Sequence, residues 1–186
     1  MDEMDPSTKV LKSGHYSYRW AKASRGDDMD ALMGFIRALA AYENESASVK
    51  TTEEQLTSDL EAGHFCCALA MCHDEAGGEC AYAGFALCHT RYSTWDGLCV
   101  HLEDLFVPEE FRGMGVGRGL MEWCVLYTRS LGCKRLCWEV LDWNTKAKGF
   151  YEKLGAEIKE AWQCVRLSGE GLENFEVCQE VAKHFS

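Results

Sequence analysis

The stretch Leu102-Glu103-Asp104-Leu105-Phe106-Val107-Pro108-Glu109-Glu110-Phe111-Arg112-Gly113-Met114-Gly115-Val116-Gly117-Arg118-Gly119-Leu120 decides the fold. Leu102, Leu105, Phe106 and Val107 are β-compatible, and Pro108 stops the ladder. A glycine-rich turn follows, and a helix is expected from Val116. A strand that feeds a helix through glycines builds an anion site. The free N–H groups of the first helical turn point outward, the helix dipole adds partial positive charge, and glycine lets the main chain approach a phosphate. A lone Gly-x-Gly is equally an ordinary βα turn. The spacing Arg112-x-x-Gly115-x-Gly117 after a strand is what separates this turn from that bland reading.

Two rival phosphate motifs fit less well. The chain has no Gly-x-x-x-x-Gly-Lys-Ser/Thr string. A dinucleotide fingerprint wants an acidic residue about 20 positions on, which Glu139 supplies, but it opens a βαβ unit. Here about a hundred residues precede the turn, and they read as helices followed by hairpin strands.

Working outward, Tyr16 to Ala23 reads as a strand with Tyr16, Tyr18 and Trp20 on one face. Met29, Leu32, Met33, Ile36, Leu39 and Ala40 recur at helical spacing after Asp27 or Asp28. Thr51 or Thr52 caps a second helix that Gly63 ends. Phe65 to Met71 and Ala81 to Leu87 form a hairpin, and Tyr92 to Gly97 a loop. The glycine turn's strand runs from Val100 to Val107 and its helix to about Leu131. Arg135 to Leu141 is expected as a strand and Asn144 to Leu154 as a short helix. Residues 156–167 are expected as a last strand pair and residues 172–185 as a terminal helix. Met1 to Gly14 is polar, without an apolar leader, and is expected as a flexible tail. The organisation expected is a tail over 1–15 and one domain over 16–186.

Composition narrows the partners. The chain has 19 basic and 30 acidic residues, a net charge of −11. That balance argues against a nucleic-acid backbone as ligand and suits a cationic one. No run approaches the roughly 20 apolar residues of a membrane span. Eleven cysteines form no Cys-x-x-Cys pair, which points to buried thiols in a reducing, cytoplasmic setting and away from zinc. No metal is expected.

The glycine turn, with Asp142-Trp143-Asn144 and Phe150-Tyr151 … Leu154-Gly155-Ala156 further on, resembles the GNAT superfamily of N-acetyltransferases. The resemblance implies an α/β (α+β) fold, a mixed and mostly antiparallel sheet flanked by helices, with acetyl-CoA as co-substrate. Tyr92-Ser93-Thr94-Trp95, Leu102-Glu103-Asp104 and Val140-Leu141-Asp142-Trp143-Asn144 make it closer still to the diamine acetyltransferases, and within them to the thialysine-acetylating branch. It covers roughly Tyr18 to Leu167.

Acetyl transfer to an amine needs a base for the ammonium, a grip on the thioester and an acid for the departing thiolate. Glu103 is the candidate base. His101 shares its face at period two and is either a relay or a packed polar residue. Tyr151 is the candidate acid, a phenol with a pKa of about 10. The resemblance implies that Leu105, Phe106 and Val107 bond the pantetheine arm through their backbones. It places Arg112, Gly113, Met114, Gly115, Val116, Gly117 and Arg118 around the pyrophosphate, and Asn144, Thr145, Lys146 and Ala147 along the cofactor. Asn144 also suits a helix N-cap. Tyr42, Glu43, Ser93, Trp95, Trp138, Glu103 and Glu160 fall where the family lines its amine channel. The family also implies a homodimer with shared sites.

Ser93 stands where the spermidine/spermine enzymes carry an acid. A serine cannot pair with a second ammonium, which favours a shorter amine bearing its own carboxylate. The expected activity is acetylation of a small-molecule primary amine, thialysine-like or a di- or polyamine. The alternatives are spermidine/spermine N1-acetylation, protein-lysine acetylation and a CoA-binding protein without turnover.

Overall fold

A computed structural model describes residues 15–184. The expected tail therefore lies outside the described residues, apart from His15. Contacts divide the chain into two compact units, Met1–Glu139 and Val140–Ser186.

The first unit is a sheet with helices on it. Its elements are β1 (Tyr16–Trp20), α1 (Gly26–Tyr42), α2 (Glu53–Glu61), β2 (Cys66–His73), β3 (Glu79–Ser93), β4 (Gly97–Phe106), α3 (Val116–Ser130) and β5 (Leu136–Cys137). The strands lie in the order β1-β2-β3-β4-β5. Neighbours are antiparallel except β4 and β5, which run parallel.

Period-two alternation sorts the sheet into two faces. Cys67, Leu69, Met71, Phe85, Leu87 and Phe106 pack on Met29, Leu32 and Met33 of α1. The opposite face carries Ala68, Ala70 and Ala86, all nearly inaccessible, and these small side chains leave room for α3. Tyr18, paired with Ala70, presses on Gly119 of α3, where a Cβ would sit 2.1 Å from the phenol. Trp20 meets Trp123 and Tyr127 edge-on, with ring centroids 5.3 and 5.1 Å apart. The expected shared face of Tyr16, Tyr18 and Trp20 is thus the seat of α3.

The start of α1 is tied down by Asp28, which is fully buried. Arg19 donates two 2.7 Å hydrogen bonds to it, the Lys22 N–H one of 3.0 Å and the Tyr82 hydroxyl one of 2.8 Å. Burial alone would raise its pKa, but these donors outweigh that and hold it below the usual carboxylate range.

Four expectations need correction. The loop over 92–97 shrinks to three residues, because β3 continues to Ser93 and pairs it with Gly97. The Ser93 Oγ accepts the N–H groups of Trp95 and Asp96 at 3.2 and 3.3 Å, and Gly97 takes φ 77°, so the chain reverses tightly. The strand expected over 135–141 pairs at Leu136 and Cys137 only, opposite Val100 and His101, just before the register shift in the β3–β4 ladder. In the second unit, helix α4 (Thr145–Lys153) forms as expected. Residues 156–167 form no strand pair among the described residues; a strand needs a ladder partner, and this unit supplies none. Two single-turn helices follow, α5 (Glu170–Glu173) and α6 (Gln179–Ala182), in place of one terminal helix.

Candidate active site

The site begins with an irregularity in β4. Cys88 faces Leu102 and Leu87 faces Asp104, so Glu103 has no partner on β3. It is the extra residue of a β-bulge. Leu102 and Leu105 consequently share the α3 face although they are three apart, because their partners Cys88 and Ala86 both lie there. Glu103 and Asp104, neighbours in sequence, both turn to the α1 face: Glu103 reaches His89 and His101, and Asp104 lies opposite Leu87 of the α1-facing core. An unbroken ladder would have sent them to opposite faces.

Beyond the bulge β4 loses one neighbour. β5 pairs with Val100 and His101, and no strand of the described residues pairs with residues 102–106 on that side. The main-chain groups of that half of β4 are therefore available to a ligand that adds on like a strand. Gly84 guards the geometry, since a Cβ there would sit 2.6 Å from the Phe106 carbonyl oxygen.

The turn after β4 runs through a single 3₁₀ turn at Glu109–Phe111 and then Arg112 to Gly115. Gly113 and Gly115 take φ 76° and 88°, which glycine adopts without a Cβ clash. Gly115 is the N-cap of α3 and supplies no capping side chain, so the first N–H groups of α3 are left for a ligand. Arg112 is held by contacts within the chain. Its Nε donates to the Val107 carbonyl at 2.8 Å, and its guanidinium lies 5.4 Å from the Tyr42 ring centre and 5.9 Å from that of Phe106. It staples the turn to the end of β4 and to the end of α1.

That contact places Tyr42 and Glu43 beside the site. Asn44 takes φ 63°, and the N–H groups of Asn44 and Glu45 bond the carbonyls of Ala41 and Ala40, a Schellman closure that fixes the helix end. Burial, then the Glu45 charge, raises the Glu43 pKa. Asp104 is pushed up to about 6 by burial, with the charges of Glu103 and Glu43 adding to it. Three carboxylates thus converge on one face, an arrangement that stabilises an arriving ammonium. Asp104 was missed by sequence reasoning. The signal was there in the three-residue spacing of Leu102 and Leu105, which a regular strand does not allow.

Glu103 lies at the rim, its oxygen 3.4 Å from His89 Nε2 and 3.6 Å from His101 Nε2. Burial lowers the His101 pKa, with His89 and Arg91 adding to the fall and Glu103 opposing it. Ser93 and Trp95 lie at the other end of the β3–β4 hairpin, about 20 Å along the strand from Glu103. One copy of the chain does not bring them to it. Trp138 follows β5 and is half-buried.

In the second unit, the Asn144 side chain caps α4 by accepting the Ala147 N–H at 3.1 Å. Thr145, Lys146 and Ala147 form the first turn of that helix, and Tyr151 is buried on it with its ring 5.3 Å from Phe150. Glu160 is exposed in the irregular stretch after α4.

Known proteins share this pattern. The Acetyltransferase (GNAT) family matches residues 29–156. The thialysine N-epsilon-acetyltransferase of Bos taurus is 35% identical over 159 residues, 81% of this chain and 93% of the relative. That of Caenorhabditis elegans is 33% identical over 152 residues, 80% and 91% of the two chains. An aminoglycoside N-acetyltransferase solved with CoA superposes with a TM-score of 0.63 at 20% identity, over 85% of this chain and 98% of the other. With this sheet, this glycine turn and these relatives, the chain belongs to the GNAT acetyltransferase family and is an enzyme that transfers acetyl groups.

Proposed function

We propose that this enzyme moves the acetyl group of acetyl-CoA directly to the primary amine of a small molecule, a thialysine-like amino acid or a di- or polyamine. Glu103 takes a proton from the substrate ammonium, directly or through a water. The neutral amine attacks the thioester carbonyl, the C–S bond breaks, and Tyr151 returns a proton to the departing sulfur. The products are an N-acetyl amine and the free thiol of coenzyme A. The observation that carries this reading is the β4 bulge, which turns Glu103 and Asp104 to one face beside Glu43 while the other edge of the strand lacks a partner strand. The relatives named above support the amine and the branch.

The residues 105–107, 112–118 and 144–147 hold the cofactor in this reading, and residues 16–186 form one catalytic domain, of which the family match takes in 29–156. A homodimer accounts for Ser93 and Trp95, since a second copy can bring them to the amine; Tyr42, Trp138 and Glu160 complete the channel. Eleven free thiols fit a reducing cytoplasm.

Steady-state rates with acetyl-CoA and thialysine, spermidine, putrescine and lysine, read by mass spectrometry of the product, test the reading. Thialysine is expected to give the highest kcat/KM. Tyr151→Phe is expected to lower kcat by about 100-fold; an unchanged kcat across pH would remove Tyr151 from the acid's role.

A further inference from the structure

His89 and His101 form a feature that the acetyl-transfer reading leaves unused. They stand directly opposite each other on β3 and β4, with ring centres 5.0 Å apart. The bulge aims Glu103 at both. One ring nitrogen of His89, one of His101 and a Glu103 oxygen all lie within 4.8 Å of one another, and the Nε2 atoms lie 3.4 and 3.6 Å from the Glu103 oxygen. Donors bound to zinc at about 2.0–2.1 Å in a tetrahedron sit about 3.3–3.4 Å apart, and two histidines with one glutamate are a known zinc donor set that keeps a position open.

The hydrogen bonding points the same way. His89 Nδ1 lies 3.2 Å from the Thr90 carbonyl. A carbonyl only accepts, so that nitrogen carries a proton and leaves Nε2, on the Glu103 side, as the ring atom a metal would take. A metal ion here would take the place of the proton that an imidazolium shares with the carboxylate at this distance. His101 Nδ1 lies 3.8 Å from Cys137 Sγ and 3.4 Å from the exposed Arg91. Rotating Arg91 away lets Nδ1–H face the sulfur and frees Nε2 for a metal. The donors stand on paired strands of one sheet, which holds them with little freedom.

We propose that His89, His101 and Glu103 form a divalent-cation site, with zinc the best-matched occupant, that switches the enzyme off by taking up the carboxylate of its base. The switch rests on Glu103 serving as base; the metal site does not. The cation bridges the imidazoles and the carboxylate, leaves one position to water and denies the substrate ammonium its proton acceptor.

The test uses the full-length protein, freed of metal, with Zn²⁺ followed by calorimetry and Co²⁺ by absorption. One Zn²⁺ per chain is expected at this site. Uptake should fall more than about tenfold in both His89→Gln and His101→Gln, each checked for folding by circular dichroism. Bound Co²⁺ should show visible bands without an intense near-ultraviolet thiolate band. Absent uptake, uptake unchanged in both variants, or a thiolate band with the same stoichiometry would overturn the site. Acetylation of thialysine should fall as Zn²⁺ is added, recover with EDTA, and need at least about ten times more Zn²⁺ to halve each variant's own metal-free rate. Zinc uptake as expected with undiminished acetylation would uphold the site and remove Glu103 from the base's role.

Discussion

The two halves of β4 share one strand and behave differently. Val100 and His101 are paired on both sides, with β3 and with β5. Leu102 and residues 104–106 are paired with β3 alone, the pairs on either side of the unpaired Glu103 being shifted by one residue. The closed half is sheet interior: Val100 is fully buried and its N–H bonds the Arg135 carbonyl at 3.0 Å. The other half carries the acids and leads into the glycine turn. One inserted residue therefore separates structure from chemistry within ten residues. The bulge lies just past the last pair with β5 and turns two consecutive carboxylates to one face.

The contrast can be broken most severely at Glu103. Glu103→Gln keeps the bulge and removes the base, so kcat should fall by about 100- to 1,000-fold at neutral pH while the melting curve stays in place. A similar loss of stability would mean that the carboxylate serves the fold instead. Next comes Gly84→Ala, which drives a Cβ against the Phe106 carbonyl at a positive φ of 150°. It should cost about 1–3 kcal/mol in urea denaturation and raise the KM for acetyl-CoA, because the half of β4 beyond the bulge must move.

The smallest effect sharpens the comparison by pH. Asp104 titrates at about 6 in the fold and near 4 unfolded. Burial favours its neutral form, so its contribution to stability is present below about pH 4 and is lost as pH rises to about 6. Asp104→Asn should therefore be more stable than the parent at pH 7, by about 1–2 kcal/mol after solvent screening, and indistinguishable at pH 4. The same variant should bind the amine less tightly, since an ammonium finds one carboxylate fewer. Denaturation at both pH values, with KM for the amine, checks the pair of outcomes.

Much of this was legible in the sequence because it rests on local chemistry. The glycine turn and the start of α3 at Val116 follow from Gly113 and Gly115, which take the left-handed backbone there. The α1 stripe of Met29, Leu32 and Met33 is helical periodicity, and Asn144 is a recognisable cap. What escaped rests on pairing. The bulge exists only in relation to β3, so nothing in the sequence alone set Asp104 on the same face as Glu103. Trp138, Val140 and Leu141 suit a longer β5, but its pairing with β4 stops at Cys137. Residues 156–167 alternate well enough for strands, but a ladder needs a partner that composition does not reveal. The Ser93 Oγ also closes the hairpin turn by accepting two backbone N–H groups, a role that depends on where β3 and β4 end.

Amide hydrogen exchange with and without acetyl-CoA tests the division of β4 most directly. The account predicts slowed exchange at Leu105, Phe106 and Val107 and from Gly113 to Arg118, with Val100 and His101 unchanged. Protection confined to other segments, with the amides of 105–107 and 113–118 exchanging as before, would contradict it.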